Sequence, residues 1–222
     1  MAYQFDWSVL WQYRGTLLQG FFYTLGLSLI GLCGAIAVGV IVGAGGTSAR
    51  RWLRAACGGY VEVCRNIPLL VHMYFWYLGL SALKLPSFWC AILALSIYSG
   101  AYVAEVVRAG IQSVPRGQEA AGLASGLTRR QTLLYIVYPQ ALRMVAPSMA
   151  GIFSQLIKDS SLASVISVAE LTFQAGAIEG TTFRTFEAYI GISVAYLLIV
   201  TTISQTTLFM FHRRAADVGD RF

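Results

Sequence analysis

RAGIQSVPRGQEAAGLASGLTRRQTLLYIVYPQALRMVAP, residues 108–147, separates two long apolar stretches and is too polar to continue either. Its punctuation reads as two short helices. Pro115 with Gly117 opens the first. Gly126 closes it, as glycine just past a helix end commonly does. Thr128 starts the second, with Gln131 three residues on, the spacing of a capping box. Pro139 and Pro147 are expected to break the chain beyond that helix and turn it back. The stretch 114–147 is therefore an elbow between membrane segments, and 114–140 holds its paired helices. The first of these is expected to expose Ala120, Ala121 and Ala124, whose small side chains let a partner surface approach the backbone. Arg129, Arg130 and Arg143 would equally suit anionic lipid head groups, so a helix pair lying on the bilayer surface fits as well.

The rest of the chain makes the setting a membrane. Of 222 residues, 57% are hydrophobic and only 12% charged, with a mean hydropathy of +0.64; a soluble domain carries about 25% charged residues. Five segments approach the roughly 20 apolar residues of a helical span: 17–44, 57–80, 87–107, 144–168 and 188–211. The fold class is thus all-α integral membrane, one domain over 1–222, with the elbow between the third and fourth spans. With the N-terminus outside, the inner segments hold Arg50, Arg51, Arg54, Arg65, Arg108, Arg116, Arg129, Arg130, Arg143, Arg213, Arg214 and Arg221. The outer segments hold only Arg14, Lys84 and Arg184. The positive-inside rule then gives N-out, C-in. That sidedness explains the formal charge of +6 without a nucleic-acid partner. The first 16 residues lack the pattern of a signal peptide. Cys33, Cys57, Cys64 and Cys90 have no metal-like spacing and read as packing residues. Gly39 and Gly43 form a G-x-x-x-G pair on which another helix can close. Trp7, Trp11, Trp76 and Trp89 fall near outer ends, as an aromatic belt does.

A charged residue at the centre of a span costs about 2.5–3.5 kcal/mol on insertion scales, so each needs a reason. Glu62 with Arg65 and Glu105 with Arg108 are three apart, on one helix face, and are expected to be structural ion pairs at inner ends. Lys158 and Asp159 fall near the middle of the fourth span and, being adjacent, point in different directions. With Ser160, Ser161 and Ser164 they offer donors for a carboxylate and an acceptor for an ammonium. That set suits a translocation path for a zwitterionic amino acid, or else a salt-bridge network between subunits. Glu170, near the outer end, is placed for contact with substrate or with a delivering protein, or for solvation. His72 reads as a packed, hydrogen-bonded imidazole. The segment 172–186, with Glu179 and Arg184, reads as an external loop or short helix.

The spacing of the elbow carries a resemblance. Permease subunits of type I ABC importers bear the motif E-A-A-x3-G-x9-I-x-L-P in a cytoplasmic loop. Gly126, Ile136 and Pro139 stand at those spacings, with Tyr138 in place of leucine. The glutamate departs: six residues before Gly126 is Ala120, and Glu119 is one position early. GTLLQGFFYTLGLSL, YVEVCRNIPLLV, AYVAEVVRAGIQSVPRGQ, YPQALRMVAPSM and LIKDSSLASVISVAELT, in order along the chain, resemble the polar amino-acid branch of these permeases. The resemblance implies a coupling helix that sits in a groove of an ATP-binding subunit. Arg116, Gly117, Gln118, Glu119, Ala120, Ala121, Gly126, Thr128, Arg129 and Arg130 then belong to ATPase coupling. It implies a second permease subunit, identical or homologous, a periplasmic amino-acid-binding protein, and a multi-pass place in the bacterial inner membrane.

The chain has no G-x-x-x-x-G-K-[ST]; its only lysines, Lys84 and Lys158, lie elsewhere. No cofactor is therefore expected in this chain, and ATP and magnesium belong to the partner ATPase. A membrane enzyme fits poorly, since His72 and His212 are the only histidines and there is no H-E-x-x-H. A scaffold or channel would explain the spans but not the elbow. An opine or related amine is a near alternative to an amino acid as cargo.

Overall fold

The computed structural model describes residues 3–219, with side chains described through residue 205; Arg221 lies outside, and Arg213 and Arg214 are described by backbone alone. Among the described residues every regular element is helical. A short helix α1 (Ser8–Gln12) leads into α2 (Arg14–Gly45). At 1.5 Å per residue α2 is about 48 Å long, ample for a bilayer. It packs along α5 (Ser87–Ser113), the most enclosed long helix of the fold.

The α2–α5 contact is made by glycine. A Cβ at Gly34 would stand 2.2 Å from Ser96 Oγ, at Gly39 2.3 Å from Val103 Cγ1, and at Gly43 2.6 Å from the Ala104 carbonyl oxygen. The G-x-x-x-G pair therefore has a partner within the same chain. The interface is closely packed: Leu27, Ala35, Ala94, Leu95 and Val103 are fully buried. Gly39→Leu should force the two helices apart and lower stability by about 1–3 kcal/mol; thermal unfolding of the purified protein would register it.

The expected second span is two helices. Residue 67 takes an extended backbone before Pro68, as residues preceding proline do, and separates α3 (Arg51–Asn66) from α4 (Leu69–Gly79). Alone, α4 is about 16 Å long and too short to cross. The fourth span is likewise not one straight helix. After α6 (Arg116–Ala124) and α7 (Arg129–Thr132), a π turn at Leu133–Val137 opens into α8 (Tyr138–Asp159). A 3-10 turn at Ser160–Ile166 and a left-handed Ser167 then lead to α9 (Leu171–Thr182), which is bent 48° from the preceding helix. The last helix is α10 (Thr185–Gly219).

The two prolines do not break the chain as expected. Pro139 sits in the first turn of α8, where its missing N–H matters little, and the wider π turn before it gives its ring room. Pro147 lies inside α8 without ending it. By length and composition α2, α5 and the first 21 residues of α10 can cross a membrane, and the bent α8–α9 pair can supply a fourth crossing.

At the far end, the residues before α1 are strapped to the start of α10. The fully buried Glu187 carboxylate accepts from the Tyr3 hydroxyl and from the Asp6 amide at 2.8 Å. Arg184 donates to the Gln4 carbonyl at 2.6 Å. The Ser8 hydroxyl and amide both donate to Asp6 and hold its carboxyl below the usual range. Trp7, Trp11 and Trp89 are about half or more exposed, as a belt requires, whereas Trp76 is half-buried. The four cysteines are unpaired.

Candidate functional site

The elbow is built by local rules. Gly126 has φ +82°, a left-handed conformation that glycine adopts without a Cβ penalty. The Leu127 amide reaches back to the Gly122 carbonyl at 3.2 Å, closing α6 in a Schellman turn. Thr128 Oγ1 accepts from the Gln131 amide at 3.3 Å, while the Thr128 amide donates to Gln131 Oε1 at 2.9 Å. The capping box is thus complete. α6 is pressed onto the second helix at Gly122, where a Cβ would lie 2.7 Å from Thr132 Cγ2 and 2.8 Å from Ile136 Cδ1. Ala120, Ala121 and Ala124 are exposed, with Leu123 beside them, as are Arg116, Gly117, Gln118, Arg129 and Arg130. Glu119 makes an ion pair with Arg129 at 3.5 Å, so its carboxylate bridges the two elbow helices.

The elbow joins α5 to α8, and between those helices lies a cavity of about 400 Å³. Tyr98, Ser99 and Tyr102 face it from α5, and Ser148, Gln155 and Asp159 from α8. Asp159 Oδ1 accepts from Gln155 Nε2 at 2.8 Å. The Tyr98 and Tyr102 hydroxyls are 3.2 Å apart. His72 packs edge-on against Tyr98 with ring centroids 5.7 Å apart. It is buried and hydrogen-bonded to the Cys64 backbone, while Nε2 has no partner among the described residues.

The other candidates separate. Lys158 is exposed and does not line the cavity. The expected serine donors turn inward: Ser160 Oγ donates to the Ile157 carbonyl at 2.7 Å, Ser161 Oγ to Lys158 at 2.7 Å, and Ser164 Oγ to Ser161 at 2.8 Å. The 3-10 turn offers each hydroxyl a carbonyl three residues back, so these protons are used locally. Glu170 is neither solvated nor on the cavity. It is fully buried and caps α9, accepting from the Phe173 amide at 2.7 Å, the Thr172 amide at 2.9 Å and the Tyr196 hydroxyl at 2.7 Å.

Of the two expected ion pairs, one forms. Arg108 grips Glu105 at 2.6 and 3.1 Å and also donates to Gln112 at 2.8 Å. Glu62 and Arg65 do not reach ion-pair distance among the described residues; the Arg65 guanidinium lies over the Tyr102 ring instead, 5.1 Å from its centroid. Glu62, Arg65, Glu105 and Arg108 line a second cavity of about 510 Å³, which Tyr102 also borders. Sequence reading missed Tyr98, Tyr102 and Gln155. The signal was the i, i+4 spacing of Tyr98 with Tyr102 and of Gln155 with Asp159, which puts each pair on one helix face.

Residues 35–215 match the family model described as "Binding-protein-dependent transport system inner membrane component". The chain is 37% identical over 199 residues to the probable glutamine ABC transporter permease protein GlnM of Bacillus subtilis, covering 89% of this chain and 92% of that one. It is 33% identical to the glutamate/aspartate import permease protein GltJ of Escherichia coli, covering 90% of each. A crystal structure of an amino acid ABC transporter with histidines superposes with a TM-score of 0.87 at 32% identity, over 95% of this chain and all of that one.

Proposed function

Since the chain belongs to the family of inner membrane components of binding-protein-dependent transport systems, we propose that it carries a polar amino acid inward by alternating access, with the elbow docked on an ATP-binding subunit and the Asp159 cavity on the path. One observation carries this reading. The elbow grows out of α5 at one end and into α8 at the other, and these are the helices that wall the cavity. A push on the elbow therefore acts on the chamber from both ends, into α8 through continuous helix and into α5 across the extended Val114 and Pro115.

The sidedness fits. A Cβ at Gly46, just past α2, would stand 3.4 Å from Arg108 Cδ, so the ends of α2 and α5 lie together with Arg54 and Arg65 of α3 at one pole, from which the elbow continues α5. Placing that pole in the cytoplasm gives N-out, with crossings by α2, α3–α4, α5, α8–α9 and α10. The exposed Ala120–Ala121 surface and Arg129 and Arg130 then face the ATPase, which binds ATP and magnesium. The strapped α9–α10 corner with Arg184 faces a periplasmic amino-acid-binding protein. A second permease subunit, identical or homologous, completes the path in the bacterial inner membrane. Glu105 and Arg108 brace the inner end of α5.

The test is ATPase coupling. The chain is purified with its ATP-binding subunit, reconstituted in liposomes, and supplied with liganded binding protein. Arg129→Glu with Arg130→Glu should bring the stimulated ATPase rate down to near its basal level. Stimulation equal to wild type, in a complex that still assembles, would remove the elbow from coupling.

A further inference from the structure

We infer that the cavity between α2, α3 and α5 is a second station for cargo, which holds an amino acid by its ammonium and carboxylate on the cytoplasmic side of the Asp159 chamber and can be refilled from that side. The inference rests on the reading that the chamber lies on the transport path. Its first basis is where the cavity runs. Arg54 and Arg65 both line it, about 16 Å apart along α3, and Tyr102 and Gln112 line it about 15 Å apart along α5. One end is the Tyr102 side chain, which also borders the Asp159 chamber. The other is the pole of Gly46, Arg54 and Arg108. A space of about 510 Å³ thus leads from the chamber wall to the arginine-rich pole.

Its second basis is an open charge pair. Glu105 with Arg108 and Glu62 with Arg65 have the same spacing and line the same cavity. The first pair is closed at 2.6 Å, whereas neither Glu62 nor Arg65 enters an ion pair among the described residues. The Arg65 guanidinium is drawn over the Tyr102 ring instead, 5.1 Å from its centroid, at the wall between the two cavities. Glu62 and Arg65 are both exposed and share one face of α3. A lone carboxylate and a lone guanidinium are costly within a membrane segment. A zwitterion satisfies both, its carboxylate on the Arg65 fork and its ammonium on Glu62. The other charged lining groups are engaged: Arg108 holds Glu105 and Gln112, and Arg54 donates to the Ser48 carbonyl at 3.2 Å. No charged lining group is left to read a side chain, so the station recognises the core that all amino acids share.

The experiment is uptake of radiolabelled amino acid, delivered by the liganded binding protein, into proteoliposomes of the permease–ATPase complex with ATP in the lumen. Lumenal glycine carries both core charges and no side chain, and it should lower the initial rate at least about threefold by holding the station occupied. Acetate or methylamine at equal concentration, with one charge each, should not. Glu62→Gln and Arg65→Gln should each abolish the glycine effect, read as the ratio of rates with and without glycine in the same variant. Wild-type uptake that ignores lumenal glycine overturns the inference. So does inhibition matched by acetate or methylamine. So does a ratio unchanged in both variants, which would put the glycine in the Asp159 chamber or on the ATPase. Where neither variant assembles, the wild-type comparison of glycine with the two single-charge probes decides. Asp159→Asn tests the pathway reading separately. Uptake indifferent to it removes that reading and the inference with it, while uptake lost there with no glycine effect in the wild type removes the inference alone.

Discussion

Gly122→Leu is expected to cut ATP-driven uptake severely while the chain still inserts in the membrane. The elbow's two helices meet at this glycine, where the site of a Cβ is already taken by Thr132 Cγ2 at 2.7 Å and Ile136 Cδ1 at 2.8 Å. Thr132 is fully buried and cannot swing into solvent without giving up its seat. A leucine there must splay α6 from α7, and with it the exposed Ala120–Ala121 surface and the Glu119–Arg129 bridge. Overpacking of this kind costs about 1–3 kcal/mol, enough to displace the elbow while α2, α5 and α10 keep the apolar length that inserts them. Uptake into proteoliposomes should fall about tenfold or more. Protein yield in the membrane fraction should change little. Gly59→Ala, outside the elbow, serves as the control, because nothing lies within 4 Å of a Cβ at that position.

Glu170→Ala should give the largest loss of stability of any single truncation considered. The carboxylate is fully buried and accepts three hydrogen bonds, from two α9 amides and from Tyr196. Removing a helix cap costs about 1 kcal/mol, and taking the charged acceptor from the half-buried Tyr196 hydroxyl adds about 1–3 kcal/mol. Together these predict about 2–4 kcal/mol, seen as a lower unfolding temperature of the purified protein. Glu170→Gln keeps one acceptor oxygen and should lose less. Equal losses for the two variants would mean that the cap contributes little.

How much of this was legible in the sequence depends on where the governing interaction lies. The elbow was legible because its rules are local: Gly126 for the left-handed residue, Thr128 and Gln131 for the box. The long spans α2 and α5 were legible from apolar length alone. Breaks in the other spans were harder. Pro68 carried a visible signal, but the bend after Asp159 follows from a 3-10 turn and a left-handed Ser167, neither of which has a strong residue preference. Pro139 and Pro147 misled because the cost of proline depends on the turn before it, and a π turn was not legible from the residues. At the site, Asp159 stood out as an unpaired charge, yet its neighbours did not. Tyr98 and Tyr102 are ordinary membrane aromatics until α8 is laid beside them. Arg65 was misjudged for the same reason, since Tyr102 lies 37 residues away along the chain, and so in part was Glu170, whose Tyr196 lies 26 away while its other two partners are the local Thr172 and Phe173 amides.

The complete capping box and the Gly122 contact have a kinematic consequence. A stiff elbow moves as one body, so the two chamber walls cannot part by flexing within it. Relative motion of α5 and α8 must then be taken up where each wall joins that body. On one side the joint is the extended Val114 with Pro115, whose ring fixes one of its two torsions. On the other it is the π turn at Leu133–Val137, whose looser hydrogen-bond spacing can tighten or widen by a residue. The first joint interrupts the helix and keeps free torsions at Val114 and at ψ of Pro115, whereas the second is hydrogen-bonded, continuous helix. With the proposed coupling role, a stroke at the elbow is passed directly into α8 and crosses a hinge before it reaches α5, so the aspartate wall follows the elbow more closely than the tyrosine wall does.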